Sequence, residues 1–172
     1  GLEKDREYYV QQNHTTTDGS RVFPDVVINL PDGKKMIVDS KVSLTAYEKY
    51  INEEDETLKN GWLKEHVSSV KRHVEQLGEK NYHELYQMES PDFVLLFIPI
   101  ETAFALASNE DITLYNKAFE KNIVIVTPST LLATLRTIDS MWANQKQQEN
   151  AFEIARQAGA LYDKFQGLME DL

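Results

Sequence analysis

The chain has 172 residues, of which 41% are apolar, 27% are charged and none is cysteine. This length predicts one domain over residues 1–172 with a buried core. The lack of cysteine excludes disulfides and cysteine-based zinc sites, and it fits a reducing, cytoplasmic location. The longest apolar run, residues 93–100, is far below the ~20 residues that a membrane span requires, so we expect no membrane contact by this chain.

The formal net charge is −10, from 18 basic and 28 acidic residues. Taken alone it disfavours a nucleic-acid partner, because non-specific affinity comes mainly from Lys and Arg neutralising phosphates. The deficit is uneven along the chain. Residues 1–52 carry 7 basic and 8 acidic groups, residues 53–92 carry 5 and 10, and residues 93–172 carry 6 and 10. The N-terminal third is therefore close to neutral, so its charge does not disfavour contact with DNA.

Three strands are predicted near the start of the chain. Residues 7–12 predict a short strand, and residues 21–30 and 34–42 predict a hairpin around Pro31-Asp32-Gly33. Proline presets a type I turn, and glycine takes the left-handed position after it. A three-residue loop of this kind sets a register in which the numbers of paired residues add up to about 64.

A long helix is predicted over residues 58–87. Apolar residues there recur at spacings of four and three, which gives one stripe facing a core. The members of this stripe are Leu63, Val67, Val70, Val74 and Leu77.

Two later strands and their helices complete the predicted sheet. Residues 93–98 and 123–127 lack alternation and are rich in β-branched and aromatic side chains, which is typical of strands buried on both faces. Residues 101–108 and 111–121 between them are predicted helices.

A helical pattern runs from Thr127-Pro128 to Leu172, with a break near 144–150 allowed. Threonine before proline is a good helix start, with threonine as the N-cap. The order of elements predicts an α/β fold, a mixed central sheet flanked by helices with a long C-terminal helical segment.

The predicted hairpin brings charged residues together. In its register Asp25 lies opposite Asp39, with Cβ atoms about 4.5–5.5 Å apart, and Lys41 points to the same face. Opposed like charges are destabilising unless a cation lies between them, and Mg²⁺ or Mn²⁺ prefers carboxylate ligands. A nearby ammonium stabilises charge on a phosphate, so the set suits metal-assisted phosphodiester hydrolysis.

Two alternatives stay open for this pair. The carboxylates could lie at a wet sheet edge, or a register error of one residue could separate them. The opposite face of the hairpin is predicted to be the core side, and it carries Val26, Ile28, Met36 and Val38.

The same residues carry a family resemblance. Pro24-Asp25, followed by a strand, a turn and Asp39-Ser40-Lys41, resembles the PD-(D/E)xK pattern of restriction-endonuclease-like nucleases. The chain is also similar, over almost its whole length, to the RmuC family of DNA recombination proteins. The segments that carry this similarity are 21–33, 37–44, 91–101 and 127–133.

The resemblance implies a restriction-endonuclease-like core and a metal-dependent deoxyribonuclease with DNA as its partner. Asp25 and Asp39 would then be ligands of Mg²⁺ or Mn²⁺, the Ser40 carbonyl a further ligand, and Lys41 the catalytic lysine. Members of the family usually continue upstream into a helix with a Trp-Glu pair, a long coiled coil and often a membrane anchor. We therefore expect this chain to be a fragment, and a homo-oligomer stays open.

Further polar residues are candidates for lining the site. His66, His73 and Lys80 recur every seven residues beside the apolar stripe, and they line a cleft or are ordinary polar helix positions. Glu101 directly follows a buried strand and either serves the site or favours a helix N-terminus. Gln12 ends the first predicted strand and could reach the face of Asp39.

Arg136 and Trp142 could also stack single-stranded nucleic acid, although a tryptophan at helical spacing with leucines is more often core. One rival to the nuclease interpretation remains. The acidic composition and the missing upstream helix support a non-catalytic DNA-binding or scaffolding module that keeps the nuclease fold.

Overall fold

The fold comes from a computed structural model, which describes residues 1–10, 14–15, 21–22, 25–31, 33–79 and 93–170. In these residues seven strands and five helices are seen. The strands are β1 (Tyr8–Val10), β2 (His14–Thr15), β3 (Arg21–Val22), β4 (Val26–Asn29), β5 (Lys35–Asp39), β6 (Val94–Phe97) and β7 (Ile123–Val126). The helices are α1 (Thr45–Asn52), α2 (Glu56–Glu79), α3 (Glu101–Glu110), α4 (Leu114–Phe119) and α5 (Pro128–Glu170).

The central sheet has five strands in the order β1-β4-β5-β6-β7. The first three pair antiparallel, and β5, β6 and β7 pair parallel. This confirms the α/β class, the mixed sheet and the long C-terminal helix. The predicted strand over 21–30 is divided, because β3 pairs with β2 in a separate ribbon and β4 begins only at Val26.

The hairpin register is confirmed. Val26 pairs with Val38, and Val27 pairs with Ile37, as the predicted loop requires. The connection is closed by the N–H of Gly33, which donates to the carbonyl of Leu30 at 3.1 Å. Gly33 has φ 81°, a left-handed conformation that glycine adopts without the Cβ clash of other residues.

The core lies on both faces of the sheet, so the prediction of a single core side is incomplete. Val27 and Ile37 face α1, α2 and α3, while Ile28 and Val38 face the start of α5. The central strand is therefore covered by helices on both faces, as parallel strands require. Residues 36–39 of β5 are accordingly all buried, including the terminal Asp39.

Helix α2 presents the predicted apolar stripe to this core, with Val67, Val70, Val74 and Leu77 buried. Its first turn is capped by Asp55, whose Oδ1 accepts the N–H of Thr57 at 2.8 Å. Residues 80–87 of the predicted helix lie outside the described residues.

Helix α1, over Thr45–Asn52, was not predicted. It buries Ala46 and Tyr47, and the Tyr47 hydroxyl lies 2.6 Å from the Thr102 hydroxyl on α3. It thereby extends the helical layer that covers the end of β5.

Helix α5 starts at Pro128 and continues without a break through 144–150. Trp142 packs on the core, and its indole N–H donates to the carbonyl of Asn29 at 3.1 Å, which confirms the core interpretation of this residue. Beyond Lys146 the side chains of residues 147–164 are all exposed. No helix in the described residues is long and apolar enough to cross a membrane.

An ion pair between a buried carboxylate and a partly exposed lysine joins the start of the chain to α5. Glu7 is 1% exposed, and its carboxylate lies 3.0 Å from the ammonium of Lys146. Burial by itself raises the pKa of Glu7, but the backbone N–H of Glu3 and the Lys146 ammonium outweigh it and hold the pKa below its usual value. The pair attaches β1 and the first half of α5 to the same side of the sheet.

Candidate active site

Asp39 is the last residue of β5, at the carboxyl end of the central strand. Its side chain is fully buried. Asp25 lies one residue before β4, where the hairpin register, continued by one step, sets it opposite Asp39. The observed register therefore agrees with the prediction that Asp25 and Asp39 lie opposite each other.

Hydrogen bonds bring both carboxylates to the segment Asp39-Ser40-Lys41. The N–H and hydroxyl of Ser40 donate to Oδ2 of Asp25 at 2.8 and 3.0 Å. The N–H of Lys41 donates to Oδ1 of Asp39 at 3.3 Å. The Lys41 ammonium lies 3.7 Å from Oδ1 of Asp25. The segment Asp39-Ser40-Lys41 therefore contacts both carboxylates, and its lysine places an ammonium beside Asp25.

His73 on α2 contacts Asp39 from the helix layer that covers the sheet. Its Nε2 lies 3.3 Å from Oδ1 of Asp39, and its side chain is 13% exposed. A fully buried carboxylate is costly unless it is hydrogen-bonded or paired with a positive charge. His73 supplies that contact from the helix layer, so it positions Asp39.

Carboxylate oxygens are the type of ligand that a hard divalent cation prefers. Mg²⁺ is usually held by one or two protein carboxylates and completes its shell with water and substrate phosphate oxygens. Asp25 and Asp39 provide that number of carboxylates at one sheet end. Within the described ranges, no group of three or more Asp, Glu or His side chains is arranged to hold a metal ion.

The Ser40 carbonyl remains a predicted ligand, while the N–H and hydroxyl of this residue serve Asp25.

His66 lies in the core and away from the carboxylates. It is fully buried, its Nε2 lies 2.8 Å from the carbonyl of Ala103, and its ring centroid is 5.5 Å from that of Tyr47. His66 and His73 occupy equivalent heptad positions, but α2 turns one toward α3 and the other toward β5. Gln12 and Lys80, the other polar candidates, lie outside the described residues.

Glu101 is the first residue of α3, and its side chain contacts the start of α5. Its Oε1 accepts the N–H of Ser129 at 2.9 Å. The hydroxyl and N–H of Ser129 and the hydroxyl of Thr127 hold the pKa of Glu101 below its usual value. A carboxylate at a helix N-terminus satisfies orphan N–H groups and interacts favourably with the helix dipole. Glu101, the first residue of α3, therefore links the start of that helix to the start of α5.

We expect Glu101→Gln to lower the melting temperature at pH 7 slightly, by about 1–3 °C. A carboxylate with a depressed folded-state pKa stabilises the protein above its unfolded pKa, and the gain is lost as pH falls through the folded pKa. The difference from wild type should therefore close in acid. Thermal melts from pH 7 to pH 3 measure this difference in melting temperature, with Glu120→Gln at an exposed position as the control. A difference between Glu101→Gln and wild type that stays constant with pH would contradict the cap assignment.

A groove between α1 and α2 was missed by the sequence patterns. It has a volume of about 680 Å³, and its lining combines apolar surface, such as Leu58 and Trp62, with polar side chains, such as Lys49 and Arg72. The signal that could have found it is the spacing of three and four residues from Trp62 through Glu65 and Ser69 to Arg72, a second face of α2 beside the apolar stripe.

Comparison with known proteins gives a family match that covers the whole chain. The sequence model of the RmuC family matches residues 1–172. Curated relatives include a DNA recombination protein RmuC homolog of Pseudomonas aeruginosa, 52% identical over 172 residues, which are all of this chain and 38% of the relative. A Vibrio cholerae homolog of the same name is 43% identical, with all of this chain matching 34% of it.

The Escherichia coli protein named DNA recombination protein RmuC is 41% identical over all of this chain and 36% of its own length. The chain therefore spans roughly a third of the length of these relatives. No solved structure matches it. Because the family model covers every residue, the chain belongs to the RmuC family.

Proposed function

We propose that this domain serves DNA recombination as a metal-dependent deoxyribonuclease. The relatives are named DNA recombination proteins, which supports DNA as the substrate class. The observation that carries the catalytic part is the meeting of Asp25, Asp39 and Lys41 at the end of β5. Two carboxylates beside an ammonium suit hydrolysis of a phosphodiester.

In this proposal Asp25 and Asp39 hold Mg²⁺ or Mn²⁺. The bound ion supplies Lewis-acid charge at the phosphate and lowers the pKa of water. Lys41 binds the scissile phosphate and stabilises the negative charge that grows on its oxygens. His73 keeps the Asp39 carboxylate in place from α2, and the closed helix layer shields it from bulk water.

A second candidate is a non-catalytic DNA-binding or scaffolding module. It is favoured by the hydrogen bonds that already satisfy the carboxylates: Ser40 donates twice to Asp25, and Lys41 and His73 contact Asp39. Such a network is also what a purely structural pair of aspartates would form.

The test incubates the 172-residue chain with end-labelled linear duplex, single-stranded and branched DNA in Mg²⁺, in Mn²⁺ and in EDTA. We expect shortened products that depend on the metal ion and vanish in EDTA. A matched preparation of the Asp39→Asn variant separates this activity from that of a contaminating nuclease.

Retention of DNA in a gel-shift assay, without cleavage in either metal ion, would contradict the nuclease proposal and favour the second candidate. Cleavage that continues in EDTA would contradict the metal-dependent mechanism.

A further inference from the structure

The groove between α1 and α2, called here the α1–α2 groove, is lined by chain segments that continue from the candidate active site. Ser43 follows Lys41 by two residues, and Arg72 directly precedes His73 on α2. Trp62 lies eleven residues before His73, which is about 16 Å along the helix axis. The lining of the groove along α2 thus covers a distance longer than one nucleotide.

The chemistry of the groove matches a phosphate backbone with bases. Arg72 contributes an exposed guanidinium, and Lys49 places its ammonium 4.3 Å from the centre of the Trp62 ring. Hydroxyl groups line the same surface, from Ser43, Thr45, Thr57 and Ser69. Cations with hydroxyls bind phosphate oxygens, and an aromatic ring offers a stacking surface to a base of any sequence.

A crease between two packed helices suits a single strand better than a duplex. Packed helices have axes about 8–10 Å apart, so the crease between α1 and α2 is narrower than a DNA duplex. Stacking on Trp62 also requires a base that is not enclosed in a double helix. A partly buried tryptophan beside a lysine therefore suits an unpaired base whose phosphate lies near the ammonium.

We propose that the α1–α2 groove binds single-stranded DNA and directs it to Asp25, Asp39 and Lys41. The proposal rests on the DNA-directed function proposed above and specifies the form of DNA. Lys49 and Arg72 contact phosphates, and Trp62 stacks one base.

Glu65 limits the affinity of the groove. Its carboxylate lies 3.7 Å from the guanidinium of Arg72, and both side chains are more than half exposed. A carboxylate in a phosphate-binding groove repels the ligand and competes for the arginine. The groove therefore carries a small positive charge on a strongly acidic chain, which implies weak and salt-sensitive binding.

Binding can be measured without catalysis, in EDTA, through tryptophan fluorescence. The sequence has two tryptophans, so Trp142→Phe leaves Trp62 as the reporter. Titration of this variant with a short thymidine oligonucleotide at low salt should quench Trp62 fluorescence to saturation. No saturable quenching, or stronger competition by a duplex than by the oligonucleotide, would overturn the proposal.

Gly61 offers a matched pair of variants. It lines the groove on α2, and a Cβ atom built there meets no other atom within 4 Å. Lysine and glutamate are both better helix formers than glycine, so neither variant threatens folding. In the Trp142→Phe background we expect Gly61→Glu to bind the oligonucleotide roughly tenfold more weakly than Gly61→Lys, with the gap shrinking at higher salt. Equal affinities at low salt would overturn the groove assignment.

The two proposals fail in different ways. Binding that follows the Gly61 pair in EDTA, without cleavage in Mg²⁺ or Mn²⁺, removes the nuclease and leaves the groove. Metal-dependent cleavage of single-stranded DNA with the same KM in Gly61→Glu and Gly61→Lys leaves the nuclease and removes the groove.

Discussion

Asp39→Asn is expected to reduce metal-dependent DNA cleavage roughly 100- to 1000-fold. Asparagine keeps the shape of the side chain but removes the charge, and a metal ion that orients and polarises a phosphodiester contributes several kcal/mol to the rate. Asp39 is the buried carboxylate of the site and is held by both Lys41 and His73. Loss of the Asp39 carboxylate should therefore abolish the stimulation of cleavage by added Mg²⁺ and lower the rate of DNA cleavage itself.

The control is Asp163→Asn, the same chemical change at an exposed position far along α5. Single-turnover cleavage rates over a Mn²⁺ titration compare the two variants, and circular dichroism verifies that each is folded. Equal rates for Asp39→Asn and Asp163→Asn would sink the site assignment.

Lys41→Gln is expected to slow cleavage on the order of 100-fold while leaving the metal dependence unchanged. The ammonium stabilises charge that develops on the phosphate, and removal of one such group typically costs about 10²–10³ in rate. Because Lys41 is 49% exposed, its removal should leave the fold intact. Lys41→Arg keeps the positive charge and should retain part of the activity.

Lys64→Gln, at an exposed position of α2, serves as the matched control for the loss of one charge. Rates at saturating DNA and the half-saturating Mn²⁺ concentration are the two readouts. A Lys41→Gln variant that shifts only the metal requirement would assign this residue to the support of Asp25 and would contradict its action on the phosphate.

The relation between Asp25 and Asp39 followed from the sequence because hairpin register is a local property. A three-residue connection containing Gly33 leaves one alignment of the two strands, and Val26 against Val38 shows that it is the one adopted. The stripe on α2 was equally predictable, since burial of one face requires apolar side chains every three or four residues.

The partner of Asp39 was not predictable in this way. His66 and His73 have the same heptad position, and only the packing of α2 across the sheet decides that one meets a backbone carbonyl and the other a carboxylate. The pairing of β5 with β6 joins segments separated by α1 and α2, and no local pattern encodes which strand ends meet. Helix α1 was missed because its eight residues are fewer than the window of about 11–18 residues over which helical periodicity is read.

The same tertiary dependence explains Glu101 and Glu7. Each carboxylate finds its partner on α5, at Ser129 and Lys146 respectively, more than twenty residues away in sequence. The sequence indicates that such groups need partners but not where the partners lie.

The side chains of residues 147–164 of α5 are all exposed, so within this range and what precedes it the helix is attached to the sheet through its first half, up to the ion pair of Glu7 with Lys146. The exposed stretch over residues 147–164 is about 27 Å long, and it is held by contacts within the helix, such as Arg156 with Glu153. An isolated helix of this length is marginal in water. Helical hydrogen bonds around Ile138 should therefore open only with the whole domain, whereas those beyond residue 150 open locally and at little cost. The boundary of the cooperatively folding unit thus falls inside a continuous helix, where no loop or change of element marks it.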